Sequence, residues 1–118
     1  MIQGCKTPVP DYGYKAFEKV ITMIAGKWKL RILYILTQQP NIRYGELKRQ
    51  LSTITHKMLS AQLKELESDK LINRKEYPQV PPKVEYSLTE IGLDLIPVYI
   101  EFGKWIMKYH KDLTLNLE

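Results

Sequence analysis

The sequence predicts a mainly α domain carrying one small β-hairpin wing, and three observations predict it. Apolar residues recur at helical spacing in several separate stretches between Tyr14 and Lys111. Two short stretches, Leu71–Tyr77 and Lys83–Leu88, alternate as strands on either side of Pro78-Gln79-Val80-Pro81-Pro82. Between Arg43 and that hairpin lie two short helical patterns joined by a tight turn, so the order is helix, turn, helix, wing. The chain has 118 residues, 44% of them hydrophobic, which is enough for one domain around one core. Its organisation reads as an N-terminal arm over 1–13, a winged helix–turn–helix domain over 14–111, and a C-terminal tail over 112–118.

The elements follow in order. Pro8, Pro10 and Gly13 leave the first residues without a regular pattern. A helix over Tyr14–Ile24 places Phe17, Val20, Ile21 and Ile24 on one side, and Gly26 punctuates it. A second helix over Trp28–Gln38 offers Leu30, Leu33, Tyr34, Ile35 and Leu36 as core, and Pro40 closes it. Trp28 is read as packing, and Ile42–Tyr44 as a short partner of the later hairpin. The next helix, Tyr44–Leu51, turns Leu47 and Leu51 inward and Lys48 and Arg49 to water. Ser52-Thr53-Ile54 makes the turn, and Thr55 is an N-cap for a helix running to Ser68. At about 100° per residue, Leu63 and Leu66 fall within roughly 40° of Leu59. Lys57, Ala61, Lys64 and Ser68 fall opposite, with Ser60 at the flank. In the hairpin, Val84, Tyr86 and Leu88 share one face, and the three prolines at the tip remove backbone donors that could extend a sheet.

Thr89 is read as the N-cap of one last helix reaching about Lys111, with a kink at Pro97. It carries two apolar stripes: Leu93, Ile96, Ile100, Gly103 and Met107, then Leu95, Val98, Phe102, Trp105 and Tyr109. A small monomer covers one stripe and leaves the other as an exposed aromatic patch. The second stripe is therefore read as a homodimer interface rather than as intramolecular core. Phe102, Trp105 and Tyr109 are its candidate residues.

The net charge of +5 is unevenly placed: +4 over 1–42, +4 over 43–83 and −3 over 84–118. The cations thus coincide with the helix–turn–helix pattern, as a nucleic-acid partner requires. Nothing near Met1 resembles a secretory leader, no apolar run approaches the roughly 20 residues of a membrane span, and Cys5 is the single cysteine. A cytoplasmic chain, without a membrane partner, is the expectation. No nucleophile–base pair, phosphate-cradling glycine loop or metal-ligand spacing is visible, so no enzyme, cofactor or metal site is expected.

Several motifs stand in order along the chain: Ile24-Ala25-Gly26-Lys27-Trp28, Arg43-Tyr44-Gly45-Glu46-Leu47, Ile54-Thr55-His56-Lys57-Met58-Leu59 and Leu63-Lys64-Glu65-Leu66-Glu67. Val80-Pro81-Pro82-Lys83-Val84-Glu85-Tyr86-Ser87-Leu88-Thr89 and Gly92 complete the set. Over roughly 15–110 the chain resembles the HxlR-type transcriptional regulators, a branch of the winged helix–turn–helix proteins related to the MarR group. The resemblance implies a homodimer built by the first and last helices, which adds Phe17 and Ile21 to the candidate interface residues, with two recognition helices in successive major grooves and a wing near the minor groove. It also implies a role mostly as a repressor, in some members responsive to oxidants or electrophiles through an N-terminal cysteine. Family cysteines are commonly followed by Pro about a dozen residues before the Gly-Lys-Trp segment. Cys5 is followed by Lys6 and lies 21 residues before Gly26. It is a candidate redox sensor or an incidental thiol.

Lys57, Ser60, Ala61 and Lys64 form the candidate DNA-facing side of the recognition helix, able to meet base edges, thymine methyl groups or phosphates. His56, at the helix start, is a phosphate contact or a plain surface histidine. Arg74, Lys75 and Lys83 on the wing, and Arg43 before the first of the two helices, are candidate phosphate contacts. The function expected is a dimeric regulator of transcription on an inverted-repeat operator in double-stranded DNA, with any small-molecule effector unidentified. The alternative is a winged-helix module that docks on another protein without specific DNA binding.

Overall fold

The computed structural model of the protein describes residues 13–116. In chain order these are α1 (Tyr14–Ile24), α2 (Lys27–Gln38), β1 (Ile42–Arg43), α3 (Tyr44–Leu51) and α4 (His56–Ser68). Then come β2 (Ile72–Tyr77), β3 (Lys83–Leu88), α5 (Glu90–Leu93), α6 (Ile96–Tyr109) and α7 (Lys111–Asn116). The strands form one antiparallel sheet in the order β1-β3-β2, with Ile42 opposite Tyr86 and Ile72 opposite Leu88. This is the mainly helical, winged helix–turn–helix architecture expected from the sequence. The short strand before α3 pairs with the hairpin as anticipated.

One core holds these elements together. Ile32, Leu33 and Leu36 of α2 meet Leu47 and Leu51 of α3, Leu59, Leu63 and Leu66 of α4, and Tyr86 and Leu88 of β3. Ile54 of the turn is also buried and fills the space where α3 and α4 diverge. The two helices need distinct ends to turn so sharply. Ser52, at φ 61° and ψ −80°, sits at the centre of a tight γ-turn that stops α3, with the Thr53 N–H donating to the Leu51 carbonyl at 2.7 Å. Thr55 then starts α4, its side-chain oxygen accepting from Met58 N–H at 3.1 Å.

A second junction fixes the wing to the helices. Thr89 caps α5 by accepting from Gly92 N–H at 3.0 Å, and its hydroxyl donates to the Lys70 carbonyl at 2.6 Å. The Thr89 amide donates to the Leu71 carbonyl at 3.0 Å. Gly92 packs so closely on that carbonyl that a Cβ there would collide with backbone.

The structure corrects two expectations about packing. Leu30 and Tyr34 are not core; they are exposed, and Ile32 is buried instead. Ile32, Leu33 and Leu36 share one face of α2, whereas Leu30 and Tyr34 lie one turn apart on another face, toward α6.

The last helix is not continuous. Pro97 has no N–H to give the Leu93 carbonyl, and its ring is tolerated only in a first turn. The chain therefore ends α5 at Leu93, bonds Leu95 N–H to the Gly92 carbonyl at 3.1 Å, and restarts with Pro97 at the beginning of α6. Helical structure also runs beyond Lys111, to Asn116. The restart shifts the phase of the apolar pattern. Leu95 and Tyr99 pack against the core, while Val98, Ile100, Phe102, Trp105, Met107 and Tyr109 stay exposed. An apolar cleft of about 630 Å³ lies between α2 and α6, walled by Leu30, Tyr34, Tyr99, Phe102 and Ile106.

Candidate nucleic-acid interface

The groove between α4 and the wing measures about 670 Å³. Its helical wall includes Ser60 and Lys64, and its wing wall includes Arg74 and Lys83. Arg43, Tyr44 and Gly45 line the end nearest α3, and the loop residues Gln79, Pro81 and Pro82 the opposite rim. Five candidates from three separate segments (Arg43, Ser60, Lys64, Arg74 and Lys83) thus come together around one concave surface. The other four stand apart from it. His56, Lys57 and Ala61 are exposed on α4 outside the groove, and Lys75 lies on the opposite face of β2 from Arg74.

The cations of this surface differ in how free they are. Among the described residues, Lys57 and Lys64 have no ion-pair partner. Arg74 is bound to Glu76 at 2.6 Å, two residues along the same strand. That carboxylate, and then the Tyr86 hydroxyl, raise the guanidinium pKa. Lys83 pairs with Glu85 at 3.2 Å and also sits 4.4 Å from the Tyr77 ring centroid. Lys75 lies over the same ring at 5.0 Å. The Tyr77 hydroxyl donates to Glu85 at 2.9 Å. This bond, with Lys83 and Arg43 behind it, holds the Glu85 carboxyl below its ordinary range. Wing cations are therefore shared with wing acids, which sequence spacing alone did not reveal.

Three lining residues were missed by the sequence reading. Glu67 places a carboxylate on the helical wall and Gln79 an amide on the loop rim. The third, Tyr44, reaches from α3 to α4: its hydroxyl lies 3.0 Å from His56 Nδ1 and 3.5 Å from Ser60 Oγ. Its only sequence signal was membership of the Arg43-Tyr44-Gly45-Glu46-Leu47 motif. A contact spanning twelve residues leaves no periodic trace.

Cys5 and Lys6 lie outside the described residues. Among those described, no group of three His, Cys, Asp or Glu is placed to hold a metal, and no helix is long and apolar enough to cross a membrane.

The HxlR-like helix-turn-helix family model matches residues 23–114, which takes in the recognition helix, the wing and α6. The chain belongs to that family. An HTH-type transcriptional regulator of Halalkalibacterium halodurans is 55% identical over 92 residues, 78% of this chain and 81% of that protein. Among solved structures, the redox regulator HypR in its reduced form superposes with a TM-score of 0.73 at 39% identity, covering 84% of this chain and 97% of that one. A MarR-family regulator structure from Porphyromonas gingivalis W83 gives a TM-score of 0.70 at 40% identity, over 87% and 99% of the two chains. HxlR-like membership fits the geometry: a helix–turn–helix whose exposed α4 face and wing converge on one groove. These relatives are regulators of transcription by name, and HypR a redox regulator.

Proposed function

We propose that this HxlR-like chain acts as a homodimer that binds an inverted-repeat operator in double-stranded DNA, most naturally as a repressor in the cytoplasm. The observation that carries the reading is the groove itself. Lys64 and Ser60 on α4 face Arg74, Lys83 and Arg43 across a concavity of about 670 Å³. Such an arrangement lets a helix enter the major groove while the flanking cations meet phosphates on either side. His56, Lys57 and Ala61 extend the same helix face beyond the groove, and Lys75 offers a further cation on the outer face of the wing.

The dimer part of the proposal is supported by two exposed faces. No residue of α1 is buried, although Phe17, Val20 and Ile21 are apolar. On α6, Phe102 stacks on Trp105 with ring centroids 5.9 Å apart, and Trp105 meets Tyr109 at 6.0 Å, all three exposed. Covering these faces with a second copy removes the patch and sets two α4 helices at a fixed spacing.

A titration with salt separates this function from docking on another protein. Binding to a selected operator and to random DNA should both weaken steeply as salt rises, because each neutralised phosphate releases counterions. A protein that selects no sequence from a random pool, and binds DNA with no salt dependence, is a protein-docking module instead. Control through Cys5 is the finest part of the reading, and it is prompted by the likeness to the redox regulator HypR. With one cysteine per chain, oxidation yields a mixed disulfide with a small thiol or a link between subunits. Diamide should then change operator binding by the parent and leave Cys5→Ser unaffected; equal responses would make Cys5 a bystander.

A further inference from the structure

Tyr44 opens α3, yet its side chain serves α4. The phenol ring lies beside the His56 imidazole, with centroids 5.8 Å apart and planes 12° from parallel. Its hydroxyl is 3.0 Å from His56 Nδ1 and 3.5 Å from Ser60 Oγ. The His56 carbonyl oxygen, also 3.5 Å away, is a more distant acceptor than Nδ1. One half-buried side chain therefore touches two of the candidate DNA contacts on the recognition helix.

The directions of these hydrogen bonds follow from the chemistry of the groups. A phenol has one proton and is a better donor than an aliphatic hydroxyl, while a ring nitrogen is a better acceptor than a phenol oxygen. With neutral imidazole, the Tyr44 O–H therefore points at Nδ1, and the ring proton resides on Nε2. Once its proton is committed to Nδ1, the Tyr44 oxygen can meet Ser60 only as an acceptor. The Ser60 O–H then turns toward Tyr44 and leaves its oxygen lone pairs for the groove.

We propose that Tyr44 is a positioning residue for DNA recognition, which sets the hydrogen-bond polarity of α4 so that His56 presents an outward donor through Nε2 and Ser60 an outward acceptor. His56 then offers its Nε2–H to a phosphate beside the first backbone amides of α4. Ser60, as an acceptor, fits the N6 amino group of adenine or the N4 amino group of cytosine. It does not fit the acceptor edges of guanine or thymine. The base preference rests on the DNA-binding reading above; the tautomer does not.

The test has two arms, both on the full chain. Nitrogen-15 spectra of the imidazoles, recorded without DNA at mildly alkaline pH, should show His56 with its proton on Nε2. Tyr44→Phe keeps the aromatic ring and removes the hydroxyl, and should shift His56 toward a mixture of tautomers while His110 stays unchanged. A parent His56 carrying its proton on Nδ1, or a Tyr44→Phe spectrum identical to the parent's, overturns the proposal. In the second arm, parent, Ser60→Ala and Tyr44→Phe each select DNA from a random pool. One position should favour adenine or cytosine in the parent, and that preference should fall about fivefold in both variants, the worth of one neutral hydrogen bond. The acceptor role is overturned if Ser60→Ala disturbs no position, if the disturbed position favours guanine or thymine, or if Tyr44→Phe retains the parental preference. A parent that selects no DNA at all refutes the DNA-binding reading instead, and leaves the spectra to decide the tautomer.

Discussion

Lys64 is a groove cation with little to give up on binding. It has no ion-pair partner among the described residues, and it stands away from the Leu59, Leu63 and Leu66 side of α4. Lys64→Ala should therefore leave thermal stability within about 0.5 kcal/mol and weaken specific binding. The cost should be about 1–3 kcal/mol at one operator position if the ammonium meets a base edge. Footprints and base preferences identical to the parent's would remove Lys64 from the interface. Glu85 shows the opposite condition, an acid held ionised by its neighbours. Its carboxyl lies below the ordinary range because the Tyr77 hydroxyl donates to it, with Lys83 and Arg43 adding positive charge. A depressed carboxyl stabilises the fold above its unfolded pKa and loses that contribution as pH falls through the folded value. Any such contribution from Glu85 should thus be lost only in acid, as pH falls below the ordinary carboxylate range. Tyr77→Phe should move the Glu85 titration upward, as read by carboxyl carbon-13 shifts. An unmoved titration would assign the effect to Lys83 and Arg43.

At the scale of elements, two junctions decide whether α4 and the wing keep their mutual geometry. The first joins the α4–β2 turn to the start of α5, through Thr89 and the close approach of Gly92 to the Leu71 carbonyl. Gly92→Ala must displace backbone rather than a flexible side chain. It should cost about 1–3 kcal/mol, seen as a lower melting temperature. A variant as stable as the parent would mean that α5 can shift without penalty. The second concerns the wing strand itself. Arg74→Ala should weaken binding to specific and random DNA alike, and reduce the salt slope by about one unit if a phosphate contact is lost. Because Glu76 holds the same guanidinium at 2.6 Å, Glu76→Gln should act in the other direction and tighten both kinds of binding. If neither substitution alters the salt dependence, the strand does not approach the DNA backbone.

At the scale of the whole molecule, the chain is long and open for its size. Its radius of gyration is 17.0 Å, with extents of 62 × 35 × 23 Å. A compact chain of this length would have a radius of about 13–14 Å. The excess fits α1 and α6, neither of which buries a residue fully within one copy. Tyr99 marks where α6 does engage the domain: its hydroxyl is buried with no hydrogen-bond partner among the described residues, and burial raises its pKa. Sedimentation at micromolar concentration should show a dimer. Phe102→Glu should give monomers or insoluble protein, since an unpaired charge is costly against an apolar partner. A parent that remains monomeric while occupying an inverted-repeat site would overturn the dimer.

The architecture up to Leu88 was legible in the residues because it rests on short-range rules. The spacing of Leu59, Leu63 and Leu66 predicts a buried helix face, Thr55 caps the helix that carries it, and Val84, Tyr86 and Leu88 alternate toward the core. These effects act within one element, so one sequence displays them. The prolines around the hairpin and the cations between Arg43 and Lys83 pointed to the wing and to its partner in the same way. Other features were decided only when elements met. Pro97 predicted a kink, but whether the chain bends or breaks depends on how Leu95 and Tyr99 dock on the core; it breaks and restarts. Leu30 and Tyr34 are apolar in sequence, yet the space beside them lies over α6 rather than inside the core. The pairing of Arg74 with Glu76 depended on side-chain placement on the folded wing, and Tyr44 reached His56 and Ser60 through the angle between α3 and α4. Periodicity and capping are local, so they determined which elements form. Hydrogen-bond partners and ion pairs depend on where side chains come to lie in three dimensions, and tertiary packing alone assigned them.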